Sequence, residues 1–63
     1  MKGKDMNKWF IVFDGSSFYA ALGGDVDEFL AMDPEVNEIT EGPFTDEYEL
    51  EKRCEWYNNN YIG

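Results

Sequence analysis

The sequence predicts a small α+β fold, in which an antiparallel sheet of two to three strands carries a C-terminal helix on one face. A run of aromatic and β-branched residues is followed by an Asp-Gly turn and a second apolar run, which is typical of a β-hairpin. The last third of the chain has helical periodicity. With 63 residues and 43% apolar content, the chain is long enough for one domain and too apolar for disorder. We therefore expect a single small acidic domain over residues 1–63, with loose ends at 1–7 and 59–63.

The first predicted element is a hairpin over residues 8–22. Residues 8–13 are rich in strand-forming side chains, residues 14–17 (Asp-Gly-Ser-Ser) signal a turn, and residues 18–22 return. A two-residue loop and a four-residue loop give the same alternation of side chains. One face then carries Trp9, Ile11, Phe13, Phe18, Ala20 and Leu22, and the other carries Phe10, Val12, Tyr19 and Ala21. Since neither face is polar, we expect a helix on one face and a partner, or a second copy, on the other.

A short helix over about 25–32 is predicted next. Asp25 is the expected N-cap residue, and Glu28 three positions later completes a capping box. The helix should end before Pro34, because the residue preceding a proline avoids helical dihedral angles. Residues 35–41 are the candidate third strand.

The C-terminal helix is predicted over about 46–57. Gly42-Pro43 is interpreted as a turn, Thr45 as the N-cap, and the asparagines at 58–60 as the point where the helix unwinds. At 100° per residue the helix has one apolar stripe that would cover a face of the sheet. This stripe is formed by Leu50, Cys54 and Tyr57.

The charge of the chain is distributed unevenly. The formal net charge is −9, yet residues 9–51 contain twelve carboxylates and no lysine or arginine. These carboxylates must be solvated or paired with the cations of another molecule, apart from those within reach of the basic chain ends. Solubility alone, or adaptation to high salt, are the alternative explanations.

Catalysis and cofactor binding are not expected. The chain has no histidine, so Ser16, Ser17 and Cys54 lack the usual activating base. A chain of this length offers little cleft in which a carboxylate pair could be desolvated. The acidic stretch at 24–33 does not fit the calcium-loop template, because its sixth position is not glycine and no glutamate stands at the twelfth. We expect no enzyme activity, no metal and no cofactor.

The composition also predicts the compartment. The lone Cys54 fits a reducing environment, and no apolar run approaches the roughly 20 residues that span a bilayer. A net negative charge disfavours nucleic acid and anionic membranes as direct partners, and Lys2, Lys4 and Lys8 are too few to reverse this. A cytoplasmic protein is expected.

One segment suggests a relationship. The order of strand, Asp-Gly turn, strand, and then residues 41–47 (Glu-Gly-Pro-Phe-Thr-Asp-Glu) before an acidic helix resembles small bacteriophage-encoded accessory proteins. The specific part of this likeness is Gly-Pro-Phe-Thr at 42–45. The resemblance implies a product that binds and redirects a host protein in the host cytoplasm. It carries over no catalytic residue.

The expected function is that of a non-catalytic protein-binding module, an inhibitor or adaptor that engages a basic host protein, with nucleic-acid mimicry as one version. Glu47, Glu51 and Glu55 form a ladder on one helix face, and exposed Tyr48 and Trp56 resemble interface anchors. Trp56 fits packing at the rim of the domain equally well. The alternative function is self-assembly into a homodimer through Phe10, Val12 and Tyr19. The predicted partner-binding residues are Asp25, Asp27, Glu28, Asp33, Glu35, Glu47, Tyr48, Glu51, Glu55 and Trp56.

Overall fold

The computed structural model describes residues 7–62, with side chains up to Asn60, and it confirms the α+β fold. The elements are β1 (Trp9–Phe13), β2 (Phe18–Leu22), α1 (Gly23–Met32), β3 (Glu38–Phe44), α2 (Glu47–Tyr57) and a π-helical segment (Asn58–Ile62). Residues 1–6, with Lys2 and Lys4, and residue 63 lie outside the described residues, so the loose ends predicted there are not addressed.

The predicted hairpin is confirmed. β1 and β2 pair antiparallel from Trp9↔Leu22 to Phe13↔Phe18, which leaves a loop of four residues. In this loop the backbone N–H groups of Ser16 and Ser17 both donate to Oδ1 of Asp14, with N···O distances of 2.9 Å. The hairpin therefore has the predicted alternation of faces, stabilised at its tip by an aspartate turn.

The third strand lies three residues later than predicted. β3 pairs antiparallel with β1, so the sheet order is β2-β1-β3 and β1 is central. Gly42 and Pro43, interpreted from the sequence as a turn, lie inside β3 at one of two irregularities in its register. Because β3 is an edge strand, it tolerates a proline that cannot donate to a neighbouring strand. A turn at 33–37 precedes β3, and in it the N–H groups of Val36 and Asn37 donate to the carbonyl of Asp33.

The two faces of the sheet are covered by different helices. α2 covers the face of Ile11 and Phe18, and its Leu50 is buried against them. On the other face Val12 is fully buried, and Phe29 of α1 contacts the ring of Tyr19 edge-on with centroids 5.7 Å apart. The chain therefore covers the centre of this face with its own first helix, while Tyr19 and Ile39 on either side of Val12 stay 39% and 44% exposed. The expectation that a partner or second copy covers this face stays a prediction.

The predicted helix ends need three corrections. α1 begins at Gly23, and its N-cap position is Leu22, which offers no capping side chain, so Asp25 is not the N-cap. Asp25 lies in the first turn, where the helix dipole favours a negative charge. Asp46 and not Thr45 caps α2, and its carboxylate accepts the N–H of Tyr48 at 2.9 Å. Beyond Tyr57 the chain continues as a π-helical segment instead of unwinding at the asparagines.

Candidate functional site

The candidate site lies along the two sides of α2, where the helix packs on the sheet. Leu50 faces the sheet, and the N–H of Asn58 donates to the carbonyls of Cys54 and Glu55 at the end of the helix. Arg53 and Glu49 are directed toward β3, whereas Glu47 and Glu51 are directed toward Trp9 and Ala20. Each side of α2 therefore borders a separate depression of the surface.

The depression on the β2 side, which we call the acidic groove, has a volume of about 380 Å³. Its floor is apolar and its rim, supplied by one face of α2, is a row of three carboxylates. The floor is Trp9, Ala20, Leu50 and Cys54, and the rim is Glu47, Glu51 and Glu55. Side chains four residues apart on a helix are separated by a rise of about 6 Å, so the rim carries one negative charge per helical turn.

The three rim carboxylates are exposed and have no ion-pair partner among residues 7–62. Of the two cations on α2, Lys52 lies beside the ring of Tyr48, and Arg53 bonds to Glu41 on β3, with 3.2 Å between Nε and Oε1. The hydroxyl of Tyr57 donates to the same oxygen of Glu41 at 2.7 Å. Arg53 is thus held on the far side of the helix, and the negative charge of the groove is left uncompensated by the described residues.

The depression on the β3 side, which we call the aromatic cleft, has a volume of about 600 Å³ and contains Tyr48 and Trp56. Their side chains are 67% and 46% exposed. The Nζ of Lys52 lies 5.6 Å from the centre of the Tyr48 ring, and Cζ of Arg53 lies 6.0 Å from that of Trp56. The two aromatic residues therefore lie beside the cations of α2, and only Glu55 borders both depressions.

The ten residues predicted to bind a partner do not form one surface. Five of them lie on α2 as described, around the two depressions. The other five are exposed on α1 or in the connection that follows it, on the side of the sheet opposite α2. These five are Asp25, Asp27, Glu28, Asp33 and Glu35. The acidic stretch of the sequence is therefore divided between two faces of the domain.

Asn58 has a role that the sequence did not reveal. Its Oδ1 accepts the backbone N–H of Phe18 at 2.8 Å, and its Nδ2 donates to the carbonyl of Phe18 at 3.0 Å. The thiol of Cys54 donates to the same carbonyl at 3.5 Å. The sequence contains three consecutive asparagines and gives no sign that the first differs from the others. Only the three-dimensional structure shows that Asn58 bonds to β2.

The floor of the groove was also missed as a site, because its residues were assigned to the core. Burial raises the pKa of the Cys54 thiol, so the thiolate is disfavoured and the side chain behaves as a small apolar group.

Within residues 7–62, no three His, Cys, Asp or Glu side chains are grouped so that they could hold a metal ion. None of the described helices has the length and apolar character needed to cross a membrane. A scan of protein-family models and searches of curated proteins and of solved structures found no match.

Proposed function

We propose that this chain is a non-catalytic acidic protein-binding module, an inhibitor or adaptor of the bacteriophage type, that engages a basic surface of a host protein in the cytoplasm. The observation that carries the proposal is the acidic groove, in which Glu47, Glu51 and Glu55 border an apolar floor, and none of the described lysines or arginines lines the groove or pairs with these carboxylates. An apolar floor beside a row of carboxylates matches a surface in which apolar side chains lie next to lysine or arginine.

The energetics of α2 support this function. Like charges four residues apart destabilise a helix by about 0.2–0.5 kcal/mol per pair, and the ladder contains two such pairs. Solubility does not require charges to be stacked on one face, since a domain of net charge −9 has many exposed positions. A ladder that costs stability in the free protein gains a function when cations of a partner neutralise it.

Mimicry of nucleic acid, if it is part of this function, involves only the carboxylates of α2. The groove presents three charges at a rise of about 6 Å, whereas phosphates along one strand of a duplex are spaced at about 3.4 Å along the axis. The acidic residues of α1 cannot extend this row because they lie across the sheet. We therefore propose recognition of a basic protein patch, in which the carboxylates take the place of a few phosphates.

Self-assembly through the hairpin is the weaker proposal. Of the residues predicted for it, Val12 is fully buried beneath α1 and Phe10 is half-buried. Tyr19 is 39% exposed, but its ring already packs on Phe29. The surface left for a second copy on this face is formed by Tyr19 and Ile39, which lie on either side of the buried Val12 and are 39% and 44% exposed.

The proposal is tested by affinity capture with two charge-matched variants. In one, the groove variant, Glu47→Gln, Glu51→Gln and Glu55→Gln remove three negative charges from α2. In the other, the α1 variant, Asp25→Asn, Asp27→Asn and Glu28→Gln remove three from the opposite side of the sheet. Proteins of the source cell retained on the immobilised wild-type chain are eluted with salt and identified by mass spectrometry.

The expected result is a basic protein retained by the wild type and the α1 variant but lost by the groove variant. Equal retention by the groove variant, or retention unchanged in molar salt, would contradict the proposal. Circular dichroism provides the folding control. The groove variant should stay within about 1 kcal/mol of the wild type, because the gain from removing the like-charge pairs is offset by the loss of the favourable first-turn charge of Glu47.

A further inference from the structure

The outer edge of β2 adjoins the acidic groove. β2 is an edge strand, paired only with β1 in the sheet order β2-β1-β3. At the two ends of the pairing, the N–H of Asp14 donates to the carbonyl of Ser17 and the N–H of Gly23 donates to the carbonyl of Lys8. Backbone groups alternate in direction along a strand, so residues 17, 19, 21 and 23 bond to β1 and residues 18, 20 and 22 face away from it.

The side chain of Asn58 forms hydrogen bonds with the outer edge of β2. Its side-chain amide takes both outward groups of Phe18, one as acceptor at 2.8 Å and one as donor at 3.0 Å. An exchange of both hydrogen bonds with a single residue is the pattern of a hydrogen-bonded pair in an antiparallel sheet. The amide of Asn58 therefore stands in for one residue of a neighbouring antiparallel strand, and it occupies that position only at Phe18.

Ala20 is the next outward-facing residue. Among residues 7–62, no group bonds to its outward N–H or carbonyl. The side chain of Ala20 is also part of the floor of the acidic groove. A residue paired with Ala20 on an added strand would therefore direct its side chain toward the same face, beside Trp9, Leu50 and Cys54.

We propose that the acidic groove receives an extended segment of the basic partner, which adds to β2 as an antiparallel strand opposite Ala20. The residue paired with Ala20 is apolar and lies over the groove floor. A lysine or arginine two residues before it lies opposite Leu22 on the same face and meets the row of Glu47, Glu51 and Glu55. The basic residue two positions after it leaves the strand, because Asn58 already occupies the pairing position opposite Phe18. This inference rests on the proposed function and specifies the conformation and the side-chain pattern of the partner.

Charge favours a basic segment over a second copy of this chain. Two copies joined edge to edge at β2 would bring two rows of Glu47, Glu51 and Glu55 together, and like charges across an interface are unfavourable. A segment with cations on either side of its apolar residue gains from the same arrangement.

The experiment uses the full chain labelled with ¹⁵N and the synthetic probe acetyl-Lys-Thr-Val-Thr-Lys-amide. In the free protein, the amide of Ala20 should exchange its hydrogen with solvent much faster than those of Tyr19 and Ala21, which bond to β1. With the peptide at ten times its dissociation constant, exchange at Ala20 should slow about tenfold. Exchange at Tyr19 and Ala21 should change less.

Two methylated peptides of equal charge provide the control. In the proposed pairing, the N–H of the central valine donates to Ala20, whereas those of the flanking threonines point away from β2. N-methylation of the valine should weaken binding at least tenfold, and N-methylation of the second threonine should change it less than threefold.

The outcomes separate the inference from the function on which it rests. Equal binding of both methylated peptides, still lost in the groove variant, would overturn the added strand and leave the proposed function in place. Slow exchange at Ala20 that depends on protein concentration without peptide would assign the edge to a second copy and overturn the inference. Absence of peptide-dependent shifts would overturn the inference alone, because affinity capture tests the function separately. Equal binding of the peptide by the groove variant would overturn both.

Discussion

The amide of Asn58 is the element whose removal tests the description of β2 most sharply. Asn58→Ala deletes two hydrogen bonds to the backbone of Phe18, at 2.8 and 3.0 Å. Phe18 is 6% exposed, so water has little access to the groups left behind. Each lost bond costs about 1 kcal/mol, which gives a total near 2 kcal/mol. A domain of this size has about 3–9 kcal/mol of stability, so the loss is a large fraction of it.

Urea unfolding followed by circular dichroism measures this loss. With a slope of about 1 kcal/mol per molar urea, the midpoint should fall by roughly 2 M. The control is Asn59→Ala, since Asn59 is exposed and its side chain makes no hydrogen bond to residues 7–60. That variant should stay within about 0.5 kcal/mol of the wild type. Equal losses in the two variants would show that residue 58 acts through the helix end and not through β2.

Three further predictions concern single positions. Gly42→Ala should destabilise the domain by more than 1 kcal/mol in urea denaturation, because Gly42 has a φ of +142° and a Cβ there would lie 2.6 Å from the Phe10 ring. Its control, Gly24→Ala in the exposed part of α1, should stabilise the domain by about 0.5–1 kcal/mol in the same assay. Alkylation of Cys54 by iodoacetamide should be much slower in the folded than in the urea-unfolded chain, because burial raises the pKa of the thiol, and equal rates would contradict its burial. The backbone N–H groups of Ser17 and Ser16 lower the pKa of Asp14, so its negative charge stabilises the fold at pH values above the ordinary aspartate pKa. The difference in unfolding free energy between wild type and Asp14→Asn should therefore be constant above about pH 5. It should shrink below about pH 4, as the carboxylate is protonated.

The parts of the fold that the sequence predicts are those set by local alternation. The hairpin faces follow from the period of two in residues 9–13 and 18–22, and both loop lengths considered preserve it. α2 follows from the apolar stripe of Leu50, Cys54 and Tyr57, and its end at Tyr57 is as predicted. These features depend on residues close in sequence, so they are visible without a structure.

The errors arise where a local signal has two structural solutions. Gly42-Pro43 is a strong turn signal, but an irregular edge strand accommodates the same two residues. Asp25 has the side chain and spacing of an N-cap, yet α1 starts directly after β2 at Gly23 and leaves Asp25 in the first turn. The pairing of β3 with β1 decides the first case and joins residues far apart in the sequence. In the second case the end of β2 at Leu22 sets the start of the helix.

The sequence likewise predicts one part of the candidate site and not the other. The ladder of Glu47, Glu51 and Glu55 follows from helical spacing and is present on α2 as predicted. The apolar floor beneath it is formed by the packing of α2 against β1 and β2, so it could not be identified from spacing. The placement of α1 on the opposite face also divides a row of acidic residues that is continuous in the sequence.

The most direct test of the acidic groove is the dissociation constant of the Lys-Thr-Val-Thr-Lys peptide for the groove variant and the α1 variant. At 0.15 M salt, charges more than about 8 Å from the bound cations are largely screened, so total charge alone contributes little. Each exposed charge pair contributes about 0.2–1 kcal/mol, so the groove variant should bind about tenfold more weakly than the wild type. The α1 variant should bind within twofold of the wild type. Equal weakening in the two variants would contradict the groove as the binding site.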